Sequence, residues 1–171
     1  GGGMYLNGGT YQIDSADDSI HSNANITIAD GTYTLATGDD GVHADDALIV
    51  NGGTITVTES YEGLEGLTVT INDGTIDITA SDDGINTAGE KMELNGGYIH
   101  ILAGGDGLDS NGDLTINGGE IYIDGPSDNG NSAIDYGDRS SAYVNGGTLV
   151  AIGSSGMAEV MSDSSKQKVL M

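Results

Sequence analysis

A repeat of about 22 residues is the feature that most constrains the fold of this chain. Asn-Gly-Gly, or a variant of it, recurs with successive spacings of 22, 22, 21, 23, 22 and 28 residues at seven anchors, which are Asn7, Ala29, Asn51, Asn72, Asn95, Asn117 and Asn145. Around each anchor the aliphatic residues occupy alternate positions, which is the period of a β-strand. Each repeat therefore has room for three short strands joined by Gly-rich corners.

Repeats of this kind bury their apolar faces only by stacking on one another. We therefore expect an all-β fold, a single-stranded parallel β-helix (solenoid) of about seven coils, each about 4.8 Å above the last. The β-helix is predicted for residues 1–158, and residues 159–171, where the spacing is lost, are predicted to form a partial last coil, cap or tail. Like positions then lie above like, so the Asn anchors should form a ladder of side-chain amides.

The charge balance restricts the partners of the chain. There are 4 Lys and Arg residues against 27 Asp and Glu residues, a formal net charge of −23, which argues against nucleic acid and anionic membranes and favours bound cations. No apolar run approaches the roughly 20 residues that span a bilayer, so we expect no membrane insertion. The chain begins at Gly1 without an initiator Met, as a processed product does, and we expect an extracellular or cell-surface location.

An acidic motif recurs in each repeat as an acid, a small residue, an aliphatic residue and a second polar side chain. Stacked carboxylates about 4.8 Å apart repel one another, and the basic residues are too few to neutralise them. Ca²⁺ binds six to eight oxygen atoms of this kind. The predicted calcium ligands are Asp40, Glu62, Glu65, Asp82, Asp83, Asn86, Asp106 and Asp109. The alternative is a solvated acidic face without an ordered ion, and this is the expectation for Asp18 and His21.

Two histidines, His21 and His43, replace the second oxygen-bearing side chain in the first two repeats. Imidazole is a good ligand for zinc, copper and nickel, so a transition-metal site is one interpretation of the pair. The other interpretation is two surface residues that lie one coil apart by virtue of the repeat.

Aromatic residues replace threonine at the outward positions after the fifth and sixth anchors. Tyr98, His100 and Tyr122 are predicted to form a small flat platform, and Tyr136 is a possible neighbour. Aromatic faces flanked by hydrogen-bonding groups suit the packing of a sugar ring, so these three residues are candidate carbohydrate ligands. Strand propensity alone also explains Tyr and Thr at such positions.

Several segments carry a resemblance to a known family. Residues 62–66 (EGLEG), 69–75 (VTINDGT), 81–86 (SDDGIN) and 153–158 (GSSGMA) resemble the secreted carbohydrate-binding β-helix proteins of cellulolytic clostridia. The resemblance implies a right-handed coil related to pectate lyases, bound calcium, and binding of plant cell-wall polysaccharide, either cellulose or polygalacturonate. It also implies calcium ligands at Glu62, Glu65, Asp83, Asn86, Asp106 and Asp109.

Three functions remain open from the sequence. We favour a calcium-stabilised extracellular carbohydrate-binding module without enzymatic activity. The alternative is a structural subunit of an extracellular filament, assembled by end-to-end stacking or by strand donation, which would make self-association its main property. A polysaccharide lyase is less favoured, because it needs a basic residue beside calcium. The candidates are Lys91, Arg139, Lys166 and Lys168, and the first two lie about two corners away from the acidic motif in sequence.

Overall fold

The structure, a computed structural model, describes residues 2–170, apart from the side chain of Glu90. These residues form 15 strands and no helix. The strands are β1 (Met4–Ser15), β2 (Ile20–Ser22), β3 (Ile26–Thr37), β4 (Val42–Val50), β5 (Thr54–Glu59), β6 (Leu64–Ile71), β7 (Thr75–Ala80), β8 (Ile85–Leu94), β9 (Tyr98–Ala103), β10 (Leu108–Ser110), β11 (Asp113–Ile116), β12 (Glu120–Asp124), β13 (Ile134–Tyr136), β14 (Ala142–Val144) and β15 (Thr148–Ile152). In the part of the chain that is described, no helix could cross a membrane.

The strands wind into a solenoid with three faces. Every pairing is parallel and joins residues about one repeat apart. The platform face runs β1-β3-β5-β7-β9-β12-β15, the second face β1-β3-β4-β6-β8-β11-β14, and the acidic face β2-β4-β6-β8-β10-β13. Five strands appear on two faces because they continue around a corner.

The predicted fold class is confirmed, with about six turns rather than seven. The difference arises because the acidic face carries one strand fewer than the other two faces. The hand of the coil stays a prediction.

The core is built from columns of aliphatic side chains. Ile55, Ile76, Ile99 and Ile121 are register partners on successive coils, and all four are fully buried. Because the strand period places alternate residues inside, the same columns recur on each face and no single coil has a core of its own.

Glycine is required at the corner that follows each anchor. Gly53 and Gly97 have φ angles of 90° and 87°, a region that residues with a Cβ atom rarely adopt. A Cβ atom on Gly53 would also approach the carbonyl oxygen of Gly31 on the preceding coil to 2.8 Å. Both the turn and the close stacking of coils therefore need glycine here.

The asparagine ladder is present from Asn51 to Asn145. Each side-chain Nδ2 donates to the Oδ1 atom of the preceding anchor, at 2.8 to 2.9 Å along the series Asn72, Asn95, Asn117 and Asn145. Ala29 occupies the anchor position of the second coil, so the ladder does not reach Asn7. The amides therefore join five of the seven anchors.

Residues 153–170 contain no strand but keep contact with the last coil. The backbone N–H groups of Ser162 and Gln167 donate to the carbonyl oxygens of Ala142 and Val144, at 2.7 and 3.0 Å. These hydrogen bonds run along the axis of the solenoid, as the backbone bonds between successive coils do. The predicted domain boundary at residue 158 stays a prediction.

Replacing Asn95 by Leu should lower the stability of the solenoid. The substitution removes two ladder hydrogen bonds, each worth about 0.5–1.5 kcal/mol, so the free energy of unfolding should fall by about 1–3 kcal/mol. Chemical denaturation measures this change. Asn7→Leu is the matched control, because no hydrogen bond of the Asn7 side chain occurs among the described residues. Equal effects of the two substitutions would contradict the energetic role of the ladder.

Candidate functional site

The acidic face brings seven of the eight predicted metal ligands, all but Asp82, into two adjacent rows, which we call the acidic column. The second row follows from the strand pairing, in which His21, His43, Glu65, Asn86 and Asp109 are successive register partners. The first row lies three residues earlier in each coil and contains Asp18, Asp40, Glu62, Asp83 and Asp106. The parallel register thus places the predicted calcium ligands beside one another, while their binding role stays a prediction.

One oxygen of several first-row carboxylates is held by the backbone of the next coil. The N–H group of Asp40 donates to Asp18 Oδ1 at 3.1 Å, that of Glu62 to Asp40 Oδ1 at 3.2 Å, and that of Asp106 to Asp83 Oδ1 at 2.7 Å. These bonds fix the orientation of each carboxylate and leave its second oxygen for another partner. A cation site needs ligands that are oriented in this way.

Two groups of carboxylates lie close enough to hold an ion in the middle coils. Within each group the ligand oxygens lie within 4.8 Å of one another, and the groups are Glu62 with Asp82 and Asp83, and Asp83 with Asp106 and Asp109. Asp83 belongs to both groups and is itself buried. Gly105 leaves space for the carboxylates of Asp82 and Asp83, because a Cβ atom at this position would collide with both.

Asn86 lies in the second row and has an unsatisfied oxygen. Its Nδ2 atom donates to both carboxylate oxygens of Glu62, at 3.0 and 3.1 Å. Its Oδ1 atom is buried and has no hydrogen-bond partner among the described residues. Such a group costs about 1–3 kcal/mol if it stays unpaired. A cation that takes oxygen ligands, such as Ca²⁺, would bind this buried Oδ1 atom. The residues of the site therefore fit calcium.

Burial makes these carboxyl groups hard to ionise in the absence of a cation. It raises the pKa of Glu62 to about 8, where the charges of Glu65 and Asp40 add to the effect. It raises the pKa of Asp109 to about 7, and the charges of Asp83 and Asp106 raise it further. The pKa of Asp83 rises to about 6 for the same reason. Near neutral pH, Glu62 and part of the Asp109 population therefore keep their protons unless a cation replaces them.

The predicted platform residues also come together. Tyr98, His100 and Tyr122 lie on the outer side of β9 and β12, and His100 is the register partner of Tyr122. The ring centroids of the two tyrosines are 5.8 Å apart and their planes are tilted by 40°, so the platform is angled rather than flat. Tyr98 is 42% exposed. His100 Nδ1 lies 2.8 Å from Asp77 Oδ1, which fixes the imidazole beside the rings.

A shallow groove of about 640 Å³ borders Tyr98. It follows the glycine corner along the axis of the solenoid, and Asp73, Thr75 and Glu120 contribute polar groups to its wall. An extended polymer of sugar rings could lie along this groove, with one of its rings packed against Tyr98.

Tyr136, considered from the sequence as a neighbour of the platform, lies elsewhere. It belongs to β13 on the acidic face, and its hydroxyl group donates to the carbonyl oxygen of Val160. The platform therefore contains two tyrosines and one histidine.

Two of the basic residues considered for a lyase, Lys91 and Arg139, lie outside the segments of the acidic face that carry the column. Lys91 is on the second face, where its register partners are Thr68 and Asp113, and its ammonium group binds Glu93 at 2.8 Å. Arg139 lies in the turn between β13 and β14 and is exposed.

Three acidic residues near the column were missed by the sequence analysis. Asp17 and Asp39 form a further close group with Asp18. The sequence contains a signal for these two residues, because each comes directly before an acid of the column, as Asp82 comes before Asp83. Asp45 lies 3.7 Å from the Nε2 atoms of His21 and His43. It sits at a break in the strand register between Ala44 and Ala47, so the repeat pattern does not reveal it.

Comparison with known proteins identifies the family. A family model described as carbohydrate-binding domain-containing protein matches residues 1–41 and 39–167. Searches of curated proteins and of solved structures found no match. Because the family model covers far more than half of the sequence, this chain belongs to the family of carbohydrate-binding domain-containing proteins.

Proposed function

We propose that this chain is a calcium-stabilised extracellular module that binds plant cell-wall polysaccharide, with cellulose or polygalacturonate as the ligand. Membership of a carbohydrate-binding family supports the general role. The observation that carries the finer proposal is the pair of tyrosines on the platform face, of which Tyr98 is exposed and Tyr122 is half-buried.

The platform has the features that sugar stacking requires. Tyrosine rings present an apolar face with a polar edge, and the backbone of β9 and β12 holds them one coil apart. His100, Asp77 and Glu120 place hydrogen-bonding groups around the rings. Because the chain carries a net charge of −23, this face suits a neutral glycan such as cellulose better than a polyanion.

Calcium is the cation that best suits the middle of the acidic column. The donors there are carboxylate and amide oxygens, which hard cations prefer, and the flexible coordination of Ca²⁺ tolerates the spacing imposed by the coils. The proposed ligands are Asp40, Glu62, Glu65, Asp82, Asp83, Asn86, Asp106 and Asp109. Bound calcium could also bridge to the carboxylates of polygalacturonate, which the bare column would repel.

The proposal includes no catalytic step. Lys91 is on the second face and Arg139 is in the exposed turn after β13, so neither of these two residues supports a lyase reaction at the column. Carboxylates that ligate an ion are likewise not free to act as a hydrolytic pair. An extracellular location is consistent with weak calcium sites, because extracellular modules bind this ion with dissociation constants of about 0.1–1 mM.

A filament subunit is the second candidate function. The outer edge of β15 has no partner strand among the described residues, and Val150 and Ile152 on this strand are exposed. An open strand edge of this kind can pair with a strand of a second copy. If the chain forms filaments, the mass of the particles in solution should increase when calcium is present.

Calcium should stabilise the chain, and Asp83→Asn should reduce the effect. At about 100 times its dissociation constant, calcium raises the free energy of unfolding by about 2.7 kcal/mol. Asp83 belongs to both carboxylate groups, so the substitution should shift the calcium dependence of unfolding to concentrations higher by about 10-fold or more. Calorimetric titration and calcium-dependent melting measure this shift.

Asp14→Asn is the matched control, because Asp14 is exposed in β1 and lies outside the column. An equal shift in both variants would indicate a general charge effect and would argue against a site at Asp83. Light scattering during the same titration separates the two candidate functions: a constant mass supports an internal ion, whereas calcium-dependent growth supports the filament.

Stability without calcium should decrease as the pH rises. The pKa values of Glu62, Asp83 and Asp109 are higher in the folded chain than in the unfolded chain, so folding is favoured below pH 4 to 5 by their retained protons. This contribution is lost as the pH rises through about 6 to 8. Denaturation in chelator at pH 5 and at pH 8 should therefore give the lower stability at pH 8, and saturating calcium should reduce the difference. A higher stability at pH 8 in chelator would contradict the raised pKa values.

Removal of the platform rings should weaken polysaccharide binding. If each ring contributes about 0.5–1.5 kcal/mol, Tyr98→Ala and Tyr122→Ala should each lower the affinity for cellulose roughly 2- to 10-fold. Pull-down on insoluble cellulose measures the effect. Tyr5→Ala is the matched control, because Tyr5 is exposed on the second face. Retention by the double variant at the level of the unmodified chain would exclude the platform as the binding surface.

A further inference from the structure

We propose that Asp18, His21 and His43 form a binding site for a divalent transition-metal ion, such as Zn²⁺, at the first coils of the acidic column. The site does not depend on the proposed carbohydrate ligand. Asp18 and His21 lie outside the proposed calcium ligands, whereas His43 also forms a close group with two of them, Asp40 and Glu65.

The repeat itself creates the site. Asp18 and His21 are separated by two residues, and Asp40 and His43 repeat this spacing one coil later. His21 is the register partner of His43 in the pairing of β2 with β4, and the centroids of their rings are 4.8 Å apart. In the following coils Glu65 and Asn86 occupy the same row. Nitrogen donors therefore occupy only the first two positions of a row that otherwise offers oxygen.

Two imidazole nitrogens converge on one carboxylate oxygen. Asp18 Oδ2 lies 3.3 Å from His43 Nδ1 and also contacts His21 Nδ1. The three ligand atoms lie within 4.8 Å of one another. A tetrahedral ion with bonds of about 2.0–2.1 Å separates its ligands by roughly 3.3–3.4 Å, which the His43–Asp18 distance already matches. The shorter His21–Asp18 contact would open as the ion enters.

His43 is surrounded by carboxylates but makes no hydrogen bond with a described residue. Its Nδ1 atom lies 3.3 Å from Asp18 and 3.4 Å from Asp40, and its Nε2 atom lies 3.3 Å from Glu65 and 3.7 Å from Asp45. The side chain is only 27% exposed. A metal on Nδ1 would leave the proton on Nε2, which could then donate a hydrogen bond to Glu65. Metal-binding histidines commonly have such a carboxylate partner.

The donor set selects the class of metal. Imidazole nitrogen is a ligand of zinc, copper, nickel and cobalt, whereas Ca²⁺ takes oxygen. The Asp18 carboxylate is 9% exposed and forms the floor of the site, while His21 is 40% exposed and leaves one side open to solvent. Three protein ligands and an open side leave room for water in the remaining position.

The experiment uses the full chain, stripped with chelator and then saturated with calcium so that oxygen sites are filled. Calorimetric titration with Zn²⁺ should show one ion bound per chain. His43→Gln should weaken Zn²⁺ binding by more than about 100-fold, since the loss of a ligand should exceed the roughly 10- to 100-fold effect of losing an outer partner. His100→Gln, which removes the remaining histidine of the chain on the platform face, should leave Zn²⁺ binding unchanged.

A second measurement uses the unmodified chain, so its result does not depend on whether a variant folds. Electron paramagnetic resonance of the unmodified chain with one equivalent of Cu²⁺ should show coupling to the nitrogens of two imidazoles. Absence of nitrogen coupling, undiminished Zn²⁺ binding by His43→Gln, or displacement of Zn²⁺ by millimolar calcium would each overturn the proposal. A chain that binds no Zn²⁺ would do the same and would leave the two histidines as charge partners of the surrounding carboxylates.

Discussion

In-register stacking of parallel coils is the constraint on which the rest of this structure depends. Backbone hydrogen bonds join each coil to the next, so a side chain in a paired strand lies beside its counterpart from the neighbouring repeat wherever the register is unbroken. Aliphatic counterparts make a continuous core, and amide counterparts make a ladder. Acidic counterparts repel one another under the same rule. The geometry that stabilises two parts of the cross-section therefore opposes the third.

Several features of the acidic column reduce this repulsion without removing it. The backbone of the next coil donates to one oxygen of Asp18, Asp40 and Asp83, which spreads part of their charge. Asn86 introduces a neutral side chain between Glu65 and Asp109 in the second row. Burial, together with the remaining charge of neighbouring carboxylates, raises the pKa values of Glu62 and Asp109. With 4 basic residues in the chain, further neutralisation must come from protons or from external cations.

Much of this arrangement was predictable because, in a solenoid, a period in the sequence becomes a period in space. The spacing of the Asn anchors indicated the fold and the ladder, and the recurring acids indicated the rows of the column. Features without a period were not predictable in this way. The approach of Asp45 to two histidines depends on a local break in register, and the tilt between Tyr98 and Tyr122 depends on side-chain packing. Tyr136 was misplaced because the residues after β12 lengthen that coil.

The interruption of the asparagine ladder at Ala29 divides the solenoid into two parts that differ in the side-chain hydrogen bonds between their coils. From Asn51 onward, an amide chain reinforces one corner of every coil. The first two coils lack it, and their side-chain connections include Asn23 with Asp45 and the stacked rings of Tyr11 and Tyr33. An ion held between His21 and His43 would add a cross-link between coils in the part of the solenoid that the ladder does not reach.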